Sequence, residues 1–279
     1  MDLDNGERGS APGSEVAARH QFVVLAYRES PFLGECLESL LAQGIDRADV
    51  LLCTSTPSAF LDRLAQRLGL RLAVNAERRS IGADWNFGLA QASAPWVTLV
   101  HQDDIYLPAY AARVRDAIAS HPQAVMVIPW FREFARGEVR AFNLTHLVKR
   151  LLFLRAFGFR DAIAAPKDKL RLLTLGNPVS CGGVALRRER ARRFDERLAF
   201  TLDWKAWLEA ARAEGTFVFI REPLMYRRIH AASATTDSMR SGARQAEELA
   251  MFRALWPPRV ADAIAAAYRL GYRTNRVAG

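Results

Sequence analysis

Hydrophobic positions along this chain follow two alternating patterns. Short apolar runs rich in Val and Leu are typical of buried strands, and leucines spaced three and four residues apart are typical of amphipathic helices. The runs predict strands over residues 22–27, 49–54, 70–75, 96–100, 124–130, 182–186 and 217–221. The spacing predicts helices over residues 31–44, 57–69, 82–92, 108–120, 202–213 and 243–272, the last interrupted at Pro257-Pro258. Ser30-Pro31 and Thr56-Pro57 are the expected starts of the first two helices, Gly69 the end of the second, and Thr201 a candidate cap of the helix at 202–213. Strands alternating with helices predict a Rossmann-like α/β fold, with a mostly parallel, doubly wound sheet and helices on both faces.

Composition indicates a globular protein. Half of the 279 residues are hydrophobic and a quarter are charged, which excludes a disordered chain and a collagen-like one. No apolar run approaches the roughly 20 residues of a membrane-spanning helix. Residues 1–20 have the Gly, Ser and charged residues of a flexible tail rather than the apolar stretch of a secretory signal. Three widely spaced cysteines, without metal-like pairing, favour a reduced, cytoplasmic compartment.

The net charge is +9, and basic residues cluster at 149–171 and 187–197. Residues 144–171 carry seven bases against two acids, with three phenylalanines between them. The same segment has apolar residues at helical spacing, namely Leu144, Leu147, Val148, Leu151 and Leu152. Two interpretations stay open: this stripe packs on the sheet behind a basic solvent face, or the segment lies on an anionic membrane.

Candidate chemistry lies at the carboxyl ends of the strands, where doubly wound sheets bind ligands. No G-x-G-x-x-G follows the first strand and no G-x-x-x-x-G-K-[ST] occurs, which argues against a dinucleotide-binding dehydrogenase and a P-loop enzyme. Asp103 and Asp104 directly follow the fourth strand. Adjacent carboxylates repel unless they are neutralised, and Mg²⁺ or Mn²⁺ binds such oxygens together with substrate phosphates. The alternative for this pair is a turn that caps the next helix.

Five segments in the same order resemble the family-2 glycosyltransferases with a GT-A fold. WVTLVHQDDIYLP resembles their metal-binding segment, and FVVLAYRESPFLGECLESLLAQ resembles their first strand and helix. RSIGADWNFGLAQASAPWVTL resembles the helix before the metal strand, and SCGGVALRRERARRFDERLAFTLDWKAWLEAARAEG the acceptor-side strand and catalytic-base segment. YRRIHAASAT resembles the Arg/His segment near the end of the domain. The resemblance implies a catalytic domain over residues 21–240, divided into a nucleotide-sugar half at 21–130 and an acceptor and base half at 131–240, followed by a helical segment at 241–279.

The resemblance also implies a metal site that binds Mn²⁺ or Mg²⁺. The family's Asp-x-Asp motif falls on His101, Gln102 and Asp103, so that only Asp103 keeps its acid. Asp104 and His230 are expected to assist Asp103 at the metal. His101 replaces an acid that contacts the ribose, and an imidazole can still bind a ribose hydroxyl.

The donor is expected to lie along the same strand ends. Thr54 stands where the family has an acid that contacts the nucleotide base, which leaves the nucleotide open. The positions implied in substrate binding are Tyr27, Thr54, Asp84, Asn86, His101, Gln102, Trp204, Arg227 and Arg228. Alternatives remain for some of them: Asn86 as a bond to a loop, Trp204 as a core residue, and one of the two arginines pointing away from the site.

Asp203 stands at the place of the family's general base. In inverting transfer, a carboxylate removes the proton of the acceptor hydroxyl as the oxygen attacks the anomeric carbon. The first turn of the predicted helix favours an ionised Asp203 through the helix dipole. The alternative is an acid placed there only for that dipole.

These observations predict an inverting glycosyltransferase. It would move a hexosyl or deoxyhexosyl group from a nucleotide diphosphate sugar to a hydroxyl of a glycan or lipid-linked acceptor, as in polysaccharide biosynthesis. The expected location is the cytoplasm, with a peripheral position on the inner face of the cell membrane kept open, and no nucleic-acid partner is expected. Two alternatives remain: a nucleotidyltransferase, whose Gly-rich loop after the first strand is missing here, and a non-catalytic nucleotide-sugar-binding protein of the same fold.

Overall fold

The computed structural model describes residues 19–77, 80–140, 144–230 and 242–274, including all their side chains except those of Leu144 and residues 270–274. Nearly all of the predicted N-terminal tail lies outside the described residues, as does the end of the YRRIHAASAT segment. Described strands are β1 (His20–Ala26), β2 (Val50–Thr54), β3 (Arg71–Val74), β4 (Trp96–His101), β5 (Ile105–Tyr106), β6 (Ala124–Ala135), β7 (Glu138–Val139), β8 (Ala162–Ile163), β9 (Ala185–Arg187) and β10 (Thr216–Arg228). Described helices are α1 (Leu33–Leu41), α2 (Ala59–Leu68), α3 (Ile81–Gln91), α4 (Tyr110–Ser120), α5 (Leu144–Phe157), α6 (Pro166–Leu173), α7 (Leu202–Arg212), α8 (Ala243–Leu255) and α9 (Pro258–Thr274).

The order of the strands explains where a ligand would bind. Along the sheet the order is β3-β2-β1-β4-β9-β6-β10-β5, and β7 and β8 pair with β6 and β10. The first four strands in this order are parallel, β6 is parallel to β10, and β9 runs antiparallel between β4 and β6. The chain winds outward from β1 to β3 and returns on the other side of β1. This reversal opens a crevice at the carboxyl ends of β1 and β4, and β6 and β10 end at the same edge.

Helices cover both faces of the sheet, so the predicted fold class is confirmed. α1, α2 and α4 bury apolar sides against one face, where Leu37, Leu61 and Val114 are fully buried. The other face carries α3 and the helices from α5 to α9, with Phe157 and Trp207 in its core. Because helices cover both faces of the parallel strands, these strands form continuous hydrophobic runs.

Two strands of the second half differ from their predicted limits. Cys181–Gly183 forms a 3₁₀ turn, so the strand predicted over residues 182–186 begins only at Ala185 and is antiparallel. β10 continues beyond residue 221 to Arg228 because a shift in its pairing with β6 accommodates Pro223. A proline interrupts a strand's hydrogen bonds, and an irregular register is the usual way to keep it in a sheet.

Helix starts also differ from the predictions. α1 begins behind Phe32, which offers no side-chain cap, instead of at Ser30-Pro31. Ser58, rather than Thr56, caps α2, and its hydroxyl accepts a hydrogen bond from the Leu61 N–H at 3.4 Å. Each helix starts two residues later than predicted, within the loop that precedes it. Each helix also buries the leucine face that its spacing predicts.

α5 does not pack its whole apolar stripe on the sheet, which was one of the two interpretations that the sequence left open. Leu147, Val148 and Leu151 of the predicted stripe are exposed, as is Leu154. The residues that α5 buries in the core are Leu152, Phe153, Ala156 and Phe157. The helix is apolar around most of its circumference, so the spacing did not single out the buried side.

The C-terminal helices pack on the same core as α7. The Phe252 ring contacts Trp204 and Tyr268, with ring centroids 5.0 and 5.6 Å apart. Trp256 Nε1 donates a hydrogen bond to the carbonyl of Thr174 at 2.8 Å. None of the helices in the described ranges has the length and apolarity needed to cross a membrane.

Candidate active site

A side-chain bridge spans the crevice between β1 and β4. Gln102, directly after β4, accepts a hydrogen bond from the Tyr27 N–H at 3.0 Å and donates one to the Tyr27 carbonyl at 3.1 Å. The Tyr27 ring is exposed, and the Arg28 guanidinium lies 5.2 Å from its centroid. Gln102 therefore fixes the loop after β1, and the exposed Tyr27 ring lies at the rim of the crevice.

Polar side chains at the end of β2 gather around Asp84 of α3. The Ser55 hydroxyl donates a hydrogen bond to Asp84 Oδ2 at 2.7 Å, and Asn75 Nδ2 donates one to Asp84 Oδ1 at 2.9 Å. Thr54 is buried, and its hydroxyl accepts a hydrogen bond from the Thr56 N–H at 3.0 Å. The loop after β2 thus meets a carboxylate from α3, although the strand itself ends in an uncharged threonine.

The carboxylates after β4 form a cluster with the ligand types of a cation site. One ligand atom from each of His101, Asp103 and Asp104 lies within 4.8 Å of the others. Asp104 is only 2% exposed, and its Oδ2 and the His101 Nε2 are buried without a hydrogen-bond partner among the described residues. Burial, together with the charge of Asp103, raises the pKa of Asp104 well above its ordinary value. The cluster thus offers two carboxylates and an imidazole, and within the described part of the chain the carboxylate of Asp104 and the imidazole of His101 each have a buried atom without a hydrogen-bond partner. This set of groups fits a divalent cation that binds oxygen and nitrogen ligands.

The turn at Gly182, just before β9, closes this cluster on one side. A Cβ at Gly182 would lie 2.7 Å from Asp104 Oδ2 and 3.1 Å from His101 Cγ, so only glycine fits without displacing the carboxylate. The Tyr106 hydroxyl donates a hydrogen bond to the Gly182 carbonyl, and the Tyr110 hydroxyl donates one to the Gly183 carbonyl at 2.8 Å. These bonds hold the turn against the carboxylates.

Arg228 and His230, at the end of β10, bind the same loop. Arg228 Nε donates a hydrogen bond to the Asp103 carbonyl at 2.9 Å, and its guanidinium also pairs with Glu35 and stacks 4.5 Å from the Phe32 ring centroid. His230 Nε2 lies 2.9 Å from Asp103 Oδ2. Burial disfavours the charged form of Asp103, but the bond to His230 and the nearby His101 outweigh it and lower the Asp103 pKa. Asp103 therefore stays ionised.

Arg227 extends from the same strand toward β6. Its guanidinium lies 3.7 Å from buried Glu133 and 5.8 Å from the Phe131 ring centroid. Lys149 Nζ lies 4.6 Å from the same centroid. Burial, and then the charge of Arg227, lowers the pKa of Lys149 to about 7. Arg227 and Arg228 thus both stay at the site, Arg228 on the cation loop and Arg227 in a cationic group with Lys149.

Asp203 lies in the first turn of α7, as predicted. Asn177 Nδ2 donates a hydrogen bond to its Oδ2 at 2.9 Å, and the Trp204 N–H donates one to its Oδ1 at 2.7 Å. Burial outweighs these bonds and the charge of Arg244, and it raises the pKa of Asp203 to about 6. The helix N-terminus does not keep the pKa low, but Asp203 remains mostly ionised at pH 7 and can accept a proton.

Glu247 of α8 holds the loop that leads to Asp203. The N–H groups of Ala199, Phe200 and Thr201 donate hydrogen bonds to its carboxylate at 2.8, 2.9 and 3.0 Å, and the Thr201 hydroxyl donates one at 3.1 Å. The sequence predicted that Thr201 caps α7, but its side chain makes no cap hydrogen bond and binds Glu247 instead. These bonds fix the backbone immediately before the proposed base.

One short segment connects Asp203 to the cation cluster. Asn177 bonds Asp203 at one end, and Gly182 contacts Asp104 at the other. Five residues span at most about 18 Å even when fully extended. The charges of Asp203 and Asp104 both raise the pKa of the Cys181 thiol, after its burial. The two carboxylates are therefore close enough for both of their charges to act on one thiol.

Two of the residues predicted to bind substrate make structural contacts instead. The Asn86 amide donates a hydrogen bond to the Phe194 carbonyl and accepts one from the Phe194 N–H, both at 2.9 Å. Trp204 is buried, and its Nε1 donates a hydrogen bond to the Leu173 carbonyl at 2.9 Å. Asn86 thus fixes a loop and Trp204 lies in the core, so the structure brings neither polar group toward the cation cluster.

Some residues of the cleft were not identified from the sequence. They are Ser55, Asn75, Asn177, Gly182 and Glu247. Their only local signals were the glycine pair after Cys181 and the Asn177-Pro178 turn, because their partners are distant along the chain. The basic cluster at 187–197 is structural: Arg187 and Arg188 donate to backbone carbonyls, and Arg193 and Arg197 pair with acids of the same loop.

The fold and cleft are those of a GT-A glycosyltransferase. Residues 21–194 match the sequence profile of glycosyl transferase family 2, and the chain belongs to this family. An uncharacterized glycosyltransferase of Haemophilus influenzae is 29% identical over 119 residues, which are 40% of this chain and 45% of that protein.

Crystal structures of S. aureus TarS share the fold. TarS 1–349 in complex with UDP-GlcNAc superposes with a TM-score of 0.59 at 14% identity, covering 91% of this chain and 72% of that one. The complex of TarS 1–349 with UDP superposes with a TM-score of 0.55 at 16% identity, covering 90% of this chain and 70% of that one. This chain spans less than half of the Haemophilus protein and 42% of a longer TarS chain.

Proposed function

We propose that this protein is an inverting glycosyltransferase with Asp203 as its general base. The observation that carries the proposal is the connection between the two carboxylate sites through residues 177–182. It brings a carboxylate with a pKa of about 6 close to a cluster suited to a cation and a diphosphate. General-base catalysis needs a carboxylate that is ionised at neutral pH yet basic enough to accept a proton.

In the proposed reaction, Asp203 accepts the proton of the acceptor hydroxyl while its oxygen attacks the anomeric carbon of the donor. The new C–O bond forms as the bond from the anomeric carbon to the diphosphate oxygen breaks on the opposite face. The nucleoside diphosphate leaves with the electron pair. Asn177 holds one oxygen of Asp203, and the Trp204 N–H binds the other, which orients the carboxylate.

The diphosphate would bind where the cluster and the arginine side chains meet. Asp103, with Asp104 and His230 or His101, would hold Mn²⁺ or Mg²⁺, which would supply positive charge to the leaving diphosphate. The charge of Arg227 acts to lower the pKa of both His101 and Asp104, so its guanidinium adds positive charge near the cluster, where its fork of donors suits a phosphate. Arg228 acts on the donor through the Asp103 loop that it fixes.

The nucleoside would lie along the ends of β1 and β2. The exposed Tyr27 ring offers a surface for a base, and Asp84, held by Ser55 and Asn75, offers an acceptor for its N–H groups. The TarS complexes contain UDP and UDP-GlcNAc, so uridine donors are the first choice for this chain. A hexosyl or deoxyhexosyl group would be transferred to a hydroxyl of a glycan or lipid-linked acceptor in the cytoplasm or at the inner face of the membrane.

The test is nucleoside diphosphate release from a panel of UDP, GDP and dTDP sugars, with Mn²⁺ or with a chelator. We expect release from one donor class, and product of inverted anomeric configuration by NMR. Asp203→Asn should lower kcat by about 10²–10⁴-fold and leave nucleotide binding intact. Asp103→Asn should weaken the metal-dependent nucleotide binding. Asp62→Asn is the matched control, because Asp62 lies exposed in the first turn of α2.

Each other outcome selects a different function. Full activity of the Asp203→Asn variant would remove Asp203 from the base role. Pyrophosphate release from a nucleoside triphosphate would indicate a nucleotidyltransferase. Nucleotide-sugar binding without turnover in the presence of glycan and lipid-linked acceptors would indicate a binding protein of the same fold.

A further inference from the structure

The outward face of α5 is apolar along its described length. Leu147, Leu151 and Leu154 follow one another at spacings of four and three residues, which places them on one side of the helix. Leu151 is 54% exposed and Leu154 51% exposed, and Val148 beside them is also exposed. We name these four residues the α5 stripe. A contiguous row of exposed aliphatic side chains is uncommon on a protein surface and indicates a contact surface.

Basic residues line both sides of the α5 stripe. Viewed along the helix axis, where successive residues are about 100° apart, Arg150 lies about 60° to one side of Leu147 and Arg155 about 80° to the other side. Arg160, Lys167 and Arg171 follow on the surface beyond the helix and on α6. Lys169 is buried and donates to the carbonyls of Ala213 and Gly215, and Lys149 lies on the inward side with Phe131. Five of the seven bases of residues 144–171 are therefore exposed. Arg160 and Arg171 pair with Asp168, Arg155 donates a hydrogen bond to the Arg171 carbonyl, and the Arg150 guanidinium lies 5.6 Å from the Trp130 ring centroid, so these groups reach the surface while they keep contacts to the protein.

Charge decides which partner the α5 stripe suits. A second copy related by a two-fold axis would bring Arg150 and Arg155 of both copies together, and the like charges would oppose pairing. An anionic lipid surface offers the opposite sign to these bases and an apolar layer to the leucines. A leucine stripe between arginines is the pattern of a helix that lies in a membrane interface.

We propose that α5 docks the protein on an anionic bilayer. Leu147, Leu151 and Leu154 enter the boundary between headgroups and acyl chains, while Arg150 and Arg155 pair with lipid phosphates. Phe159, 97% exposed directly after the helix, adds an aromatic side chain at the same end. The opposite side of the helix packs on the core, so docking needs no rearrangement of the cleft.

The test is co-sedimentation with vesicles of phosphatidylcholine alone and of phosphatidylcholine mixed with phosphatidylglycerol, in the absence of donor and acceptor. We expect binding to the mixed vesicles, weakened by added salt. The double variant Leu151→Gln/Leu154→Gln should bind at least about tenfold more weakly than the wild type. Arg150→Gln/Arg155→Gln should bind about thirtyfold more weakly.

Matched controls separate docking from general surface effects. Val260→Gln removes an exposed aliphatic side chain of α9, and Arg63→Gln/Arg67→Gln removes two exposed arginines of α2. Both controls should bind as the wild type does, and all variants should have its circular dichroism spectrum. Because no substrate is present, failure of the proposed function would leave this result unchanged.

Three results would overturn the proposal. The first is no binding to either kind of vesicle. The second is binding that the leucine variant retains in full. The third is a concentration-dependent dimer in light scattering that Leu151→Gln/Leu154→Gln abolishes, which would assign the α5 stripe to a second copy of the chain.

Discussion

Replacing Asp203 by Asn should stabilise the protein at pH 8 while it lowers the rate of transfer. Burial raises the pKa of this carboxyl to about 6, against an ordinary value of 3.8. A carboxyl whose pKa is raised by folding binds its proton more tightly in the folded state, so the wild type loses stability as the pH rises from about 4 to about 6. Above that interval the whole penalty is present. Asn carries no charge and removes it.

The magnitude follows from the pKa and from one hydrogen bond. A difference of about two pKa units corresponds to about 3 kcal/mol of unfolding free energy. The variant loses the bond from Asn177, because two amide nitrogens would face each other and Asn177 Oδ1 is engaged by the Val179 N–H at 3.1 Å. That loss costs about 1 kcal/mol. The variant should therefore be more stable than the wild type by about 2 kcal/mol at pH 8, and this advantage should disappear near pH 4.5.

Urea unfolding at both pH values measures the difference directly, with Asp62→Asn as the control for loss of a helix acid. The control should show no such pH-dependent gain, since Asp62 is exposed. If Asp203→Asn is as destabilised at pH 8 as at pH 4.5, the raised pKa is refuted. In the wild type, kcat/KM should fall about tenfold per unit below pH 6, where Asp203 becomes protonated.

Three further substitutions test the groups that position the site. Gly182→Ala places a Cβ 2.7 Å from Asp104 Oδ2 and should weaken Mn²⁺-dependent nucleotide binding by about 10–100-fold in calorimetry, without affecting binding in chelator. Glu247→Gln removes acceptors from the loop before the base, so kcat should fall with the donor KM unchanged, and urea unfolding should show a loss of about 1–3 kcal/mol. Ser55→Ala loses the bond to Asp84 and should raise the nucleotide Kd about fivefold, with the same metal dependence in calorimetry.

The sequence predicted those parts of the fold that depend on local pattern. The central parallel strands are buried on both faces, so their apolar runs stand out, and glycine at position 69 ends α2 in the left-handed conformation as expected. For α5 the sequence left two interpretations open, and it did not show which side of the helix is buried because both sides are apolar. Which side is buried depends on the contacts of Phe153 and Phe157 with Phe219 of β10. The spacing of residues along one helix does not predict these contacts.

The candidate site divides in the same way. Asp103 and Asp203 were identifiable because a carboxylate directly after a strand, or in a first helical turn, is chemically conspicuous and matched a family pattern. The groups that orient them were not, since Glu247 lies 46 residues from Thr201 and Asn177 lies 26 residues from Asp203. Such bonds arise only when α8 and the segment after α6 pack against α7. The sequence therefore predicted the two candidate carboxylates, and the structure adds what holds them.

The groups that hold the proposed base lie in a different part of the chain from the cation cluster. The family match ends at residue 194, and the candidate site within it is built from loops at adjacent strand ends, which the order of the sheet brings together. Asp203 and its anchor Glu247 lie beyond that limit, and Glu247 belongs to the C-terminal helices. Because α8 binds the loop before the base through four hydrogen bonds, a change in how α8 and α9 pack would move Asp203 relative to the cation cluster. The C-terminal helices are thus coupled to the position of the proposed base, while the loops around the cation cluster keep their arrangement from the sheet.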